Sequence, residues 1–223
     1  MEPTAVADNP WISWRYVENN WGTLVDLTGQ HVSLTVQAVL IALVLAVPLA
    51  LLARNRPTLA SLLLGGSAVL YTVPSLALFG LLAPFTGIGR VTVLIGLVAY
   101  AMLVLVRNTL VGLQGVPADV SDAARGLGYS GTRRLVTVEL PLALPAIITG
   151  VRLATVTTVA LVTVGVVVGY GGLGQLMFRG FNSSYRAEIM TATLLCLAIA
   201  LAADLVLLLL GRAVTPWLRR RSA

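Results

Sequence analysis

The chain has 223 residues, of which 57% are hydrophobic and only 11% are charged, and its formal net charge is +6. A soluble domain carries about 25% charged residues, so this composition, with a mean hydropathy of +0.91, excludes a water-soluble fold and predicts a membrane protein. The fifteen basic residues are all arginines scattered between apolar runs. Without a basic stripe and interleaved aromatic side chains, nucleic-acid binding is excluded as well.

The first thirty residues are predicted to lie along the outer membrane interface. They lack a basic segment and an early apolar run, which argues against a cleaved signal peptide. Trp11, Trp14, Tyr16 and Trp21 alternate with polar residues, and tryptophan and tyrosine favour the headgroup zone. Residues 1–30 are therefore predicted to form an amphipathic interfacial segment, with a partly disordered tail as the alternative.

Five apolar runs follow, and we expect each to form a transmembrane helix, giving an all-α membrane protein. A spanning helix needs about 20 residues. The third run is short and reaches this length only if the turn at residues 87–89 lies at the membrane edge, so four spans are the alternative. The runs cover residues 32–53, 59–85, 91–106, 146–168 and 189–210.

The arginines predict the orientation, because short cytoplasmic loops are enriched in Lys and Arg. An external N-terminus places ten arginines inside and four outside, with Arg152 left within a span. We therefore expect the N-terminus outside and the C-terminus in the cytoplasm. Residues 31–212 then form the transmembrane domain, and residues 213–223 form a basic cytoplasmic tail.

Pro74 lies in the middle of the second run, where it would kink the helix or leave a backbone carbonyl without its usual donor. Such backbone survives inside a membrane only where it lines a cavity or packs on neighbouring helices. The second span is therefore predicted to border a cavity.

The connection between the third and fourth runs, residues 107–145, is too polar to span the membrane and too patterned for a linker. Pro117 is suited to the first turn of a short helix, and glycines around Gly128 end it. A second short helix over 132–138 is expected to stop at Pro141 and the proline at 145. The pattern predicts a helix-turn-helix exposed to the cytoplasm.

Gly150, Ala154 and Thr158 form a four-residue ladder of small side chains on the fourth span. Small residues let helices approach closely in a membrane. The ladder is expected to be either a seam between two copies of the chain or internal packing.

Arg152 and Asp204 lie well within the fourth and fifth spans, about 10 to 12 Å from their cytoplasmic ends. Charges at this depth are costly unless they are paired or buried in the bundle. We therefore hypothesise an ion pair between them. The alternatives are snorkelling of Arg152 to the headgroups, and a backbone or partner contact for Asp204.

The 107–145 connection resembles the "EAA" coupling motif of permease subunits of ABC importers. The resemblance rests on the Asp-Ala-Ala sequence, on Gly128 four positions after it, and on a Val-Glu-Leu-Pro sequence. One departure is that Asp122 stands where the motif usually has Glu, which keeps the charge with a shorter reach. The resemblance implies that the ATPase subunit is contacted by Asp122, Ala123, Ala124, Gly128, Leu140 and Pro141.

Further segments resemble permeases for glycine betaine, carnitine and choline, over roughly residues 20–212. These segments are YTVPSLA at 71–77, RNT at 107–109, VELPLALP at 138–145, and GYGGLG at 169–174 followed by FRG at 178–180. The resemblance implies import of an osmoprotectant across the cell membrane. A permease for methionine or another small solute remains the alternative, since these share the core.

The partners follow from what the chain lacks. It has no lysine, so it cannot contain a P-loop of the form GxxxxGK[ST], and ATP and Mg²⁺ are expected on a separate ATPase. The outside segments are too short for a solute-binding domain, which implies a separate extracytoplasmic binding protein. Five spans cannot enclose a pore, so a second permease, identical or a sister chain, is expected.

No catalytic or metal site is expected, and no cofactor is assigned to this chain. His31 is its only histidine and Cys196 its only cysteine. No carboxylate pair lies near either residue, so a metal cage and nucleophilic chemistry are both disfavoured. The chain is expected to be a transport subunit rather than an enzyme.

The resemblance also suggests where solute and receptor act. Tyr71, Pro74, Ser75 and Tyr100 are the candidates for the translocation pathway, since aromatic rings attract quaternary ammonium groups; helix packing is the alternative. The loop after the glycine-rich run is expected to meet the loaded receptor. Its candidate contacts are Gly171, Gly172, Gly174, Phe178 and Arg179, although these glycines could equally serve a helix C-terminal turn.

Two rival classes can be weighed against this interpretation. An ion-coupled secondary transporter would usually show inverted repeats and ionisable groups at mid-membrane, and it would have no use for the helix-turn-helix. A structural membrane scaffold would carry no solute at all.

Overall fold

The computed structural model describes residues 9–217, and this part of the chain is helical, without strands. A turn of π-helix, Leu135–Glu139, joins α7 to α8, and a 3-10 turn, Gly165–Val168, follows α8. The basic residues of the predicted tail, at 219–221, lie outside the described range. The helices are α1 Trp14–Asn19, α2 Trp21–Ala53, α3 Pro57–Thr72, α4 Ser75–Thr86, α5 Arg90–Gln114, α6 Ala118–Gly126, α7 Gly131–Arg134, α8 Leu140–Val164, α9 Gly174–Asn182 and α10 Arg186–Val214.

Within residues 9–217, four segments are long and apolar enough to cross a membrane on their own: α2, α5, the continuous helix over 131–168, and α10. The pair α3 and α4 is apolar enough only when taken together, and the two helices meet at an angle of 97°. The described part of the chain therefore has five spans if the bent pair counts as one. The third predicted span, marginal in the sequence, is a full 25-residue helix because α5 continues past Val106 to Gln114.

The second predicted span is broken at Pro74 rather than kinked, in agreement with the second of the two expectations, a carbonyl without its usual donor. Val73 is extended, with φ −71° and ψ 121°, as expected for a residue whose α conformation is disfavoured by a following proline. The hydroxyl of Tyr100 donates a hydrogen bond to the Val73 carbonyl. A side chain of α5 thus satisfies the backbone that the break exposes.

The predicted boundary at residue 30 does not coincide with a helix end. The short helix α1 ends at Asn19, and α2 then runs from Trp21 into the first span. At about 1.5 Å per residue its 33 residues are about 50 Å long, which exceeds the roughly 30 Å of a hydrocarbon core. Only the part of the predicted interfacial segment from Trp21 onward is therefore continuous with the first span, whereas Trp11 and Trp14 lie outside α2.

Both edges of the predicted connection at 107–145 are parts of long helices, so the connection itself is shorter. The sequence predicted that a helix would end at Pro141. In the structure, Pro141 lies instead in the first turn of α8. The amide of Leu140 bonds to the carbonyl of Leu135, five residues back. This wider turn lies where a proline ring would otherwise clash with the carbonyl four residues earlier.

The helix α5 is the centre of the bundle, and it packs along α8, α2, α3 and α4. The face of α2 toward the core carries an alanine at every fourth position, and all four have 0% exposure: Ala38, Ala42, Ala46 and Ala50. Because lipid removes the hydrophobic drive between helices, such small residues stabilise a bundle through close van der Waals contact.

The small-residue ladder of the fourth span is internal packing. Gly150 is buried, and Ala154 and Thr158 both have 0% exposure. A Cβ added at Gly150 would lie 2.6 Å from the Cβ of Asn108 on α5. The closeness of α5 and α8 thus depends on the missing side chain at position 150.

We expect Gly150→Ala to lower the melting temperature of the purified protein in detergent, because overpacking typically costs about 1–3 kcal/mol. The matched control is Gly66→Ala on α3, where a Cβ would meet nothing within 4 Å. The control should be neutral or slightly stabilising, since alanine favours a helix over glycine by about 0.5–1 kcal/mol. Equal melting temperatures for the two variants would contradict the packing assignment.

Candidate functional site

A groove with a volume of about 810 Å³ opens between α3, α5 and α8. Ser67 and Tyr71 line it from α3, Arg107 and Asn108 from α5, and Leu153 from α8. Polar side chains facing an open groove within an apolar bundle are the arrangement expected of a solute pathway.

Two of the four predicted pathway residues form an aromatic pair beside the groove. The rings of Tyr71 and Tyr100 meet edge to face, with centroids 6.1 Å apart. Tyr71 is 54% exposed and lines the groove, whereas Tyr100 is 7% exposed and is held by its bond to Val73. Pro74 and Ser75 form the helix break above this pair and are not part of the groove lining.

Arg107 was expected in the cytoplasmic connection, but the structure places it within α5, two turns before the helix ends. Its side chain is exposed to the groove, and among residues 9–217 it has no hydrogen bond or ion pair. Sequence reasoning missed it because the third span was taken to end at residue 106. The adjoining Asn108 is tied to the helix by a 2.8 Å bond from its amide to the Val104 carbonyl.

The predicted ATPase-coupling residues 122–128 form one small exposed knob. Asp122 and Arg125 make an ion pair of 2.5 Å with both side chains more than 60% exposed, while Ala123 is exposed and Ala124 is buried. Gly128 has φ +77°, and its amide bonds to the Arg125 carbonyl. The left-handed conformation that ends α6 therefore suits glycine.

Leu140 and Pro141, the other two predicted coupling residues, are half-buried at the start of α8. They lie next to Glu139, which the sequence did not single out as a site residue. Glu139 accepts a 2.8 Å hydrogen bond from Arg134 and another from Arg54, at the end of α2. These three side chains, with exposures of 12% to 18%, join the base of the knob to α2.

One signal in the sequence could have identified Glu139. It is the only acidic residue between Asp122 and Glu188, and it stands among apolar neighbours. A carboxylate in such surroundings requires a partner, and arginines flank both helix ends nearby.

At the other end of the bundle, the glycine-rich run is part of the interior, which corrects its assignment as receptor contact. Gly171, Gly172 and Gly174 are all buried. A Cβ at Gly174 would lie 2.2 Å from the Thr163 carbonyl, and one at Gly172 would lie 2.8 Å from His31. These glycines permit close backbone packing and are not available to another protein.

The glycine-rich run is clamped to α2 by two polar side chains. Gln30 accepts a 3.0 Å hydrogen bond from the Gly172 amide. His31, with 0% exposure, has its Nε2 3.0 Å from the Val159 carbonyl and its Nδ1 3.4 Å from the Leu173 amide. Because a carbonyl can only accept, Nε2 carries the proton and Nδ1 accepts, so the lone histidine has a structural role.

Phe178 and Arg179, the remaining predicted receptor contacts, are exposed on α9. Arg179 donates a 2.5 Å bond to Glu188, whose side chain is 5% exposed. Beside them Tyr16 is buried, and burial, reinforced by the charge of Glu188, raises the pKa of Tyr16 to about 12. The surface of this end is therefore formed by α1 and α9 and not by the glycines.

The structure brings the hypothesised pair Arg152 and Asp204 together. Nε and one terminal nitrogen of the guanidinium lie 2.8 Å from the two carboxylate oxygens. This two-pronged geometry is among the stronger forms of a charge-assisted hydrogen bond. It ties α10, which is largely exposed along its length, to α8.

Residues 19–220 match the family described as "Binding-protein-dependent transport system inner membrane component". The osmoprotectant import permease of Salmonella typhimurium is 38% identical, covering 90% of this chain and 96% of its own length. The glycine betaine/carnitine/choline permease protein OpuCB of Bacillus subtilis is 31% identical, covering 90% and 93%. The carnitine permease of Listeria monocytogenes is 35% identical, covering 78% and 79%.

Among solved structures, a chain of the methionine ABC transporter MetNI in an inward-facing conformation is similar, with a TM-score of 0.79. It is 23% identical in sequence, and the alignment covers 89% of this chain and 99% of that one. At this identity the likeness establishes the fold.

The ion pair between α8 and α10 should make the effects of substitutions at Arg152 and Asp204 on the melting temperature strongly non-additive. We expect Arg152→Leu and Asp204→Leu each to lower the melting temperature, because each leaves one unpaired charge within a span. The double variant should recover much of the loss, since two apolar residues replace the pair. A double variant whose loss equals the sum of the two single losses would show that the contact contributes no coupling.

Proposed function

The chain belongs to the family of inner membrane components of binding-protein-dependent transport systems, and from that premise we propose that it admits an osmoprotectant of the glycine betaine, carnitine or choline class. It is a multi-pass permease subunit of an ABC importer, and ATP is hydrolysed by a separate subunit of such transporters. The observation that carries the substrate class is the identity of 31% to 38% with osmoprotectant permeases over 78% to 90% of the chain.

The groove supports this substrate class chemically. The exposed ring of Tyr71 offers a π-face, and quaternary ammonium groups bind such faces by cation–π attraction. A single edge-to-face pair is no complete aromatic cage, so tight recognition belongs to the binding protein and the groove provides weak passage. Weak binding along the route suits a pathway, because the solute has to leave again.

The knob of residues 122–128, with Leu140 and Pro141 at its base, docks on the ATPase in this proposal. The exposed apolar side chains Val120 and Leu127 on and beside α6 suit insertion into a groove of a soluble partner. The knob lies at the end of the bundle that holds Arg54, Arg133 and Arg134, and the arginine bias assigns that end to the cytoplasm. The N-terminus then lies outside.

Movement of the docked knob is transmitted into the membrane by the helix over 131–168 and by its contact with the end of α2. The helix from 131 to 168 is continuous, and Glu139 fixes its base to the end of α2 through Arg54. Closure of two ATPase subunits would therefore rotate α8 and α2 together, which is rigid-body gating by a partner. A second permease, identical or a sister chain, completes the pathway across from the groove.

The external receptor is proposed to dock on the surface that carries Phe178 and Arg179. Both side chains are exposed on α9. The glycine-rich run that precedes α9 is held to α2 by Gln30, and His31 of α2 bonds to Val159 of α8. Receptor docking would thereby act on the same two helices that the ATPase moves.

Uptake by the whole transporter tests the substrate class. The permease should be reconstituted into proteoliposomes with its ATPase and binding protein, and radiolabelled glycine betaine, choline and methionine compared. We expect ATP-dependent uptake of glycine betaine, choline or both, and none of methionine. Methionine uptake alone, or uptake that persists without ATP, would contradict the proposal.

The coupling knob can be tested at Gly128, where a Cβ meets nothing within 4 Å but φ is +77°. Gly128→Val is expected to distort the end of α6, because a left-handed residue other than glycine costs about 1–2 kcal/mol. ATP-driven uptake should fall at least about tenfold while the protein remains inserted in the membrane.

The control is Gly126→Ala, two residues earlier, where φ is not positive and a Cβ also meets nothing within 4 Å. It should transport like the wild type. Normal uptake by Gly128→Val, at wild-type membrane levels, would remove the knob from the coupling pathway.

A further inference from the structure

Arg107 carries a positive charge that faces the groove without an ion-pair partner among residues 9–217. It lies in α5, the central helix of the bundle, and lines the groove beside Asn108 and Ser67. Arg152, another arginine of a spanning helix, is neutralised by Asp204 at 2.8 Å. Among residues 9–217, Arg107 has no such partner.

A fixed positive charge within a membrane span is costly, and charges there face cavities and mark the routes of substrates and ions. Nothing in the described fold requires this charge: Arg107 caps no helix and joins no pair of helices. An oxygen anion entering the groove would receive from it a two-pronged hydrogen bond of the kind that guanidinium forms with carboxylates.

We propose that Arg107 binds the carboxylate of the solute as it crosses, so that the groove favours zwitterionic betaines, such as glycine betaine and carnitine, over the simple cation choline. The inference rests on the proposed osmoprotectant function and specifies its chemistry. The aromatic ring of Tyr71 and the guanidinium of Arg107 line the same groove, and they offer the two opposite charges of a betaine one partner each.

The arrangement along α5 agrees with this assignment. Tyr100, which supports Tyr71, lies seven residues before Arg107, or about 10 Å along the helix axis. Long flexible side chains span much of that separation. A betaine can therefore pass from the ring to the guanidinium in one short step, whereas choline meets only repulsion at the second position.

The test uses the reconstituted transporter with saturating, solute-loaded binding protein, so that maximal rates and not receptor affinities are compared. Arg107→Gln is expected to lower the maximal rate for glycine betaine at least about tenfold, because one charge-assisted bond is lost. Arg107→Lys, which keeps the charge but loses the two-pronged bond, should lose less of the rate than Arg107→Gln. Any choline uptake should stay the same or rise in Arg107→Gln, since choline has no carboxylate to lose and the repulsive charge is removed.

The matched control is Arg90→Gln, at the other end of the same helix, where Arg90 bonds to Gln37 outside the groove. It should transport glycine betaine like the wild type. Glycine betaine uptake by Arg107→Gln within twofold of the wild type would overturn the proposal. So would an equal loss for glycine betaine and choline, or a loss in Arg107→Lys as large as in Arg107→Gln, because a lipid contact or a structural role would act on both solutes alike.

A second measurement does not depend on turnover. In a Cys196→Ala background that keeps Arg107, Ser67→Cys on the groove wall should react with a membrane-impermeant anionic thiol reagent, and glycine betaine should slow the reaction at least about twofold where choline does not. A thiol that glycine betaine leaves equally reactive would count against the site. A wild-type transporter that takes up neither solute would instead contradict the proposed function, which separates the two failures.

Discussion

Water is absent from the hydrocarbon core of a bilayer, so a polar group that this chain carries into the membrane is costly unless it finds a partner inside the protein or faces a cavity. The described structure meets that constraint at three depths. The Val73 carbonyl, freed where α3 breaks into α4, accepts from Tyr100, and Arg152 is matched by Asp204. His31 is satisfied on both ring nitrogens by backbone groups of α8 and the glycine-rich run.

The same constraint explains why the centre of the bundle is built from small residues. Apolar side chains gain nothing by leaving lipid for one another, so helices associate through contact area and bonds between helices. Alanines at every fourth position of α2, and Gly150 on α8, bring the backbones close to α5. Polar contacts such as Arg152–Asp204 and His31–Val159 then fix the positions of the helices relative to one another.

Much of this could be predicted from the sequence, because long apolar runs and arginine bias act over many residues at once. The spans, the exposed knob around Gly128 and the closeness of Arg152 to Asp204 follow from such patterns. Helix ends could be predicted less well. The helix α5 continues beyond residue 106 and α8 begins before residue 146, because helical hydrogen bonding does not stop where hydropathy changes. The glycine-rich run and Glu139 were misjudged or missed because their partners are distant in sequence, and periodicity carries no information on such contacts.

The hydrogen bond between His31 and Val159 can form only late in the synthesis of the chain. It joins residues separated by 128 positions in the chain. Domains are synthesised at about 5–20 residues per second, so α2 enters the membrane on the order of ten seconds before its histidine partner exists. During that interval α2 can already pack against α3 and α5, but the imidazole lacks its backbone acceptor. Insertion of α2 therefore has to tolerate a histidine without its acceptor until α8 has been synthesised.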